Sequence, residues 1–121
     1  METDSLHHAI DLDLLLGRIN NDQDFLQELL KDFMQDIQAK LLKLKIYLLD
    51  EDFDGIHMIA HTLKSTTAFL TTYFLHEAVC KLENAAKKRD SSMVFTYFKI
   101  FENEFSNLIE FLDKDLQMVV H

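Results

Sequence analysis

The stretch Val94 to Leu112, VFTYFKIFENEFSNLIEFL, places Val94, Phe98, Phe101, Phe105, Leu108 and Leu112 at steps of four, three, four, three and four. That alternation keeps one apolar stripe on a helix and is the seam of packed antiparallel helices. A second line runs through Leu26, Leu30, Phe33, Ile37, Leu41, Leu44 and Leu48, with Asn21 or Asp22 available as its N-cap. Within it, LLKLKIYLL (residues 41 to 49) is apolar nearly all round, which predicts contact with more than one neighbour. The turn DEDFDG offers several caps, and Phe53, Ile56, Ala60, Leu63, Thr67 and Leu70 follow on one side of a third helix. Thr71 or Thr72 is placed to cap a fourth, running to about Arg89 with Leu75, Ala78, Val79, Leu82, Ala85 and Ala86 inward. Asp90 to Ser92 then starts the helix quoted first, and a short amphipathic segment from about Leu12 to Leu16, closed by Gly17 and RINND, precedes them all.

The expected fold is all-α: an antiparallel up-down four-helix bundle with a short extra N-terminal helix across one end. Composition agrees, since 121 residues with ten Phe, two Gly and no Pro supply one core but few of the turn residues an all-β chain needs. One domain, residues 1–121, is expected, and the initial Met with a full helical set favours a stand-alone protein over a domain excised from a larger hybrid kinase; a monomer is expected.

A net charge of -9 argues against nucleic acid, whose binding draws on Lys and Arg, and against anionic membranes. The basic cluster KKRD (Lys87 to Asp90) sits at a predicted helix C-terminus, where it interacts favourably with the helix dipole. No apolar run approaches a membrane span and the N-terminus is unlike a secretory signal, so a cytoplasmic location is expected. Cys80, the single cysteine, allows neither an internal disulfide nor a thiolate cluster within one chain and reads as a half-buried small residue.

The chemistry gathers in IAHTLKSTTAFL, Ile59 to Leu70. At about 100° per residue, Asp54, His57, Lys64, Ser65 and Ala68 share a face with His61, opposite Ile56, Ile59, Leu63 and Leu70. His61 therefore points away from the core. His57 and His61 at i, i+4 suit one metal ion, but two histidines fall short of a stable set, and Met58 stands where a zinc hydrolase of the H-E-x-x-H kind carries its base. A Ser-His-Asp nucleophile lacks the strained turn and oxyanion hole it requires. A solvent-facing neutral imidazole can attack phosphorus, with Lys64 one turn along as a positive charge beside the transferred anion and small neighbours at Ser65 and Ala68 leaving the ring accessible. With no nucleotide-binding signature, that phosphoryl group must come from a protein, and no autokinase activity is expected.

AHTLKS (Ala60 to Ser65) resembles the A-H-x-L-K-G motif of histidine phosphotransfer (HPt) domains of phosphorelays. LLLGRINNDQDFLQELLKDF is similar to the family's opening helix and Arg-Ile-x-x-Asp turn, through Arg18, Ile19 and Asp22. LHEAVCKLENAAKKRD is similar to its L-x-x-x-C-x-x-L-E segment, through Leu75, Val79, Cys80, Leu82 and Glu83. The resemblance covers nearly the whole chain. It implies a phosphocarrier that accepts a phosphoryl group on His61 from a receiver-domain aspartyl phosphate and relays it to another receiver. Lys64 is then the electrostatic neighbour, the partners are receiver domains or a hybrid histidine kinase, and Mg²⁺ sits on the receiver, leaving this chain without a cofactor. Asp54, His57, Met58, Ser65, Ala68 and Phe69 form the expected partner-binding rim; Met58 and Phe69 read equally as packing against a neighbouring helix. Ser65 replaces the glycine usual after the lysine, and Ala68 and Thr71 replace glycines further along. That departure keeps open an adaptor that binds a receiver or kinase without phosphotransfer. Glu83 with Lys87 and Lys88 reads as a solvated face, and His7, His8, His76 and His121 as incidental.

Overall fold

The computed structural model describes residues 10–117, and among them there is no strand. The elements are α1 (Leu12–Arg18), α2 (Gln23–Asp50), α3 (Phe53–Phe69), α4 (Tyr73–Lys87) and α5 (Ser91–Glu110), followed by a π-helical turn (Phe111–Asp115). Aspartates start four of the helices: Asp11, Asp22, Asp52 and Asp90 each accept from the backbone N–H three residues on. Each satisfies a donor the first helical turn leaves free. Thr72 stands at the fourth N-cap but does not cap with its side chain; its hydroxyl donates to the Thr67 carbonyl at 2.9 Å. Helix α1 runs one residue past Gly17 and ends at Arg18, with Ile19 at its C-cap, inside the stretch expected to close it.

With so few glycines, the connections bend through other residues at positive φ: Asn20 and Asn21, Glu51, Thr71 and Arg89. Thr71, at φ 62, is one of the positions where the HPt motif carries glycine. A β-branched residue is disfavoured there. Its hydroxyl donates to the Asp11 carbonyl at 2.8 Å and accepts from the Asp11 N–H at 3.1 Å, tying α1 to the α3–α4 connection. Arg18 completes the tie by donating to the Ala68 and Phe69 carbonyls at the C-terminal end of α3. A cation there suits both the carbonyls that end α3 and the helix dipole.

Helices α2 to α5 form a ring, α3 against α4, α4 against α5, and α2 closing it against α3 and α5. The α5 seam is buried along its whole predicted length, Val94 to Leu112. Met34 takes the core position predicted for Phe33, which is half-buried like Phe53 and Leu48. The segment LLKLKIYLL meets both α3 and α5, as predicted, with Tyr47 beside Gly55 and Lys45 paired with Glu102, and still leaves apolar side chains over: Leu41 and Leu44 are buried, whereas Leu42, Ile46 and Leu49 face outward at 53%, 58% and 86% exposure. No described helix is long and apolar enough to cross a membrane.

Candidate functional site

The buried side of α3, carrying Ile56, Ile59, Ala60, Leu63 and Thr67, turns His61 outward with 66% of its side chain exposed. Opposite stands Glu83 of α4, whose side chain is only 12% exposed. His61 Nδ1 lies 2.8 Å from Glu83 Oε2. A carboxylate only accepts, so Nδ1 carries the proton, and the neutral ring presents the Nε2 lone pair away from Glu83. Lys64 Nζ donates to Glu83 Oε1 at 2.9 Å. His57 Nε2 lies 3.4 Å from the oxygen that His61 uses, and the two imidazoles stack with centroids 6.2 Å apart.

Burial opposes the charge on Glu83, but the hydrogen bonds from Lys64 and His61 and the positive charge of Lys64 outweigh it and hold the carboxyl below its ordinary range. The same ion pair raises Lys64: the hydrogen bond it donates to Glu83 leads, followed by the carboxylate's charge. Both groups are therefore ionised at neutral pH. Burial pushes the Cys80 thiol up, which keeps it protonated and a poor nucleophile. The groove floored by these groups is edged by Lys81, Asn84 and Lys87. An exposed nucleophilic nitrogen, a fixed tautomer, a buried carboxylate behind the ring and a cation beside it suit attack on an electrophile delivered from outside.

Glu83 corrects the sequence reading, which left it on a solvated face. It is flanked by buried Val79, Leu82 and Ala86, and a carboxylate inside such a line stays charged only with partners. The signal was present, since Glu83 sits one residue after a core leucine, but its partners lie 19 to 26 positions earlier in the chain. His76 also is not incidental. Its Nδ1 donates to the Lys64 carbonyl at 3.1 Å and approaches the Thr67 hydroxyl at 3.0 Å, pinning α4 to the turn of α3 that carries Lys64. His7, His8 and His121 lie outside the described residues.

Of the expected rim, Met58, Ser65 and Ala68 are exposed on α3. Phe69 packs against Phe33 at 6.1 Å between centroids and lies under the Arg18 guanidinium, so its helix-packing reading holds alongside its remaining exposure. Asp54 pairs with Arg89 at 3.0 Å on the surface, which gives the arginine of KKRD a partner besides any helix dipole. His57 joins the Glu83 cluster. Among the described residues, no group of three or more His, Cys, Asp or Glu side chains is disposed to hold a metal ion.

The family model described as Hpt domain matches residues 28–117. No curated protein and no solved structure matches the chain significantly.

Proposed function

The chain belongs to the Hpt domain family, whose role is in phosphorelay signalling with receiver domains and kinases, and on that premise we propose that His61 is its phosphoacceptor. The observation that carries the proposal is the 2.8 Å contact between His61 Nδ1 and Glu83 Oε2 behind an exposed ring. The Nε2 lone pair attacks the phosphorus of a receiver's aspartyl phosphate. The N–P bond forms as the P–O bond breaks, and the receiver carboxylate leaves with the electron pair. No proton need leave, because Nδ1–H remains on the ring, which gains positive charge beside Glu83.

That charge also explains the position of Lys64. At rest Lys64 is the counter-ion of Glu83; once the imidazole is positive it takes that role at 2.8 Å, and Lys64 is freed to meet the phosphoryl oxygens. Onward transfer runs the same steps in reverse to a second receiver, with Mg²⁺ held by the receiver. The exposed, small side chains of Ser65 and Ala68 let a partner surface come close to the ring. We place this relay in the cytoplasm and assign residues 1–121 to a single domain.

Intact mass after incubation with Mg²⁺ and phosphorylated receivers tests the reading. The native chain is expected to gain one phosphoryl group, as is His57→Gln, whereas His61→Gln stays folded and gains none. Receiver binding without any mass gain would overturn the transfer reading in favour of a non-transferring adaptor.

A further inference from the structure

The outward stripe on α2 has no role in the His61 groove, which α3 and α4 form between them. Leu42, Ile46 and Leu49 are spaced four and three apart, the rhythm of a helix seam, yet no described residue buries them. We propose that this face is the self-association surface of the protein, pairing α2 with α2 of a second copy in antiparallel orientation about a two-fold axis at Ile46.

Helix geometry supplies the argument. Centred on Ile46, Leu42 and Leu49 fall on one side of the stripe, and Lys43 and Asp50 on the other. A two-fold axis lying in the interface keeps each side facing its own kind while reversing the helix direction. Ile46 then meets Ile46 of the second copy. Leu42 comes level with the second copy's Leu49, and Lys43 with its Asp50, each within about 1.5 Å along the axis. Apolar side chains therefore meet apolar ones, opposite charges meet on the other flank, and each contact off the axis occurs twice.

This self-complementarity is what selects a second copy over a foreign helix, which has no cause to match both flanks. Lys43 and Asp50 form no ion pair with another described residue. The apolar flank continues toward α5, where exposed Phe95 borders, with Leu48, Leu49, Phe53 and Val94, an open groove of about 520 Å³. Net charge of -9 repels a second copy at long range, but physiological salt screens beyond about 8 Å and leaves the local pairing to decide. Association through α2 leaves both His61 grooves open.

A contact built on a few side chains per copy is smaller than a standard interface, so the dimer is weak and reversible. Sedimentation of the full chain in 150 mM salt is expected to show the average mass rising from 14.2 kDa toward twice that value, over roughly 10 μM to 1 mM protein. Ile46→Glu, on an exposed position, should remain helical by circular dichroism and stay monomeric. Lys43→Glu and Asp50→Lys each place like charges opposite one another and should each associate at least severalfold more weakly. An equimolar mixture of the two variants restores both pairs and should recover native association. A native chain that stays monomeric throughout, association that survives Ile46→Glu, or a mixture no better than its components would overturn the proposal. None of these readouts depends on phosphotransfer.

Discussion

Glu83→Gln isolates the charge behind the phosphoacceptor. The glutamine carbonyl can still accept from His61 Nδ1, so the tautomer and the exposed Nε2 are retained while the negative charge is removed. Positive charge develops on the ring during transfer, with Nδ1 2.8 Å from the carboxylate oxygen. Coulomb's law gives about 4 kcal/mol for unit charges about 4 Å apart at an effective dielectric near 20. His61 is two-thirds exposed, so solvent screens much of that interaction. About 1–2 kcal/mol of transition-state stabilisation remains, a loss of roughly 5- to 30-fold in the transfer rate. Rapid-quench transfer from a phosphorylated receiver measures this directly at saturating partner, where changes in docking affinity do not enter. A Glu83→Gln rate within about twofold of the native rate would refute the assignment of charge stabilisation to Glu83.

Lys64→Ala should slow acceptance by roughly tenfold and, by taking an ion-pair partner from the buried Glu83 carboxylate, lower the melting temperature; an unchanged rate would show that the ammonium does not meet the phosphoryl group. Since the folded chain holds Glu83 below the ordinary glutamate range, its contribution to stability is full above the unfolded value and is lost as pH falls through the folded one. Urea unfolding from about pH 6 down to pH 3 should therefore show the native chain losing stability more steeply than Glu83→Gln, and parallel profiles would contradict the pairing. Phe101→Ala removes a fully buried ring at the centre of the α5 seam and should cost about 3–5 kcal/mol in chemical denaturation; a loss under about 1 kcal/mol would mean that the seam is not packed there.

The order of the helices, the bundle and the α5 seam were legible because apolar spacing reports which side of a helix leaves water, whatever that side packs against. The outward direction of His61 was legible for the same reason: it depends on the position of Ile56, Ile59 and Leu63 within one helix. The Asp caps at residues 22, 52 and 90 are equally local, because each cap and its N–H lie three residues apart.

What periodicity could not supply was the cross-helix pairing. Whether Glu83 is a solvated surface residue or a buried carboxylate depends on where α4 sits against α3, and a spacing pattern within α4 is silent on that rotation. Once α3 and α4 dock, the distances of 2.8 Å to His61 and 2.9 Å to Lys64 follow, and with them the tautomer. His76 became a pin on the Lys64 carbonyl for the same reason. The LLKLKIYLL segment shows the converse: its sequence announced more apolar surface than one neighbour needs, and only the packed bundle revealed that Leu42, Ile46 and Leu49 are the residues left over. The sequence by itself determined which side chains leave water, because that is a property of each helix alone; the tertiary structure decided which charged groups meet, because that depends on the rotation of one helix against another.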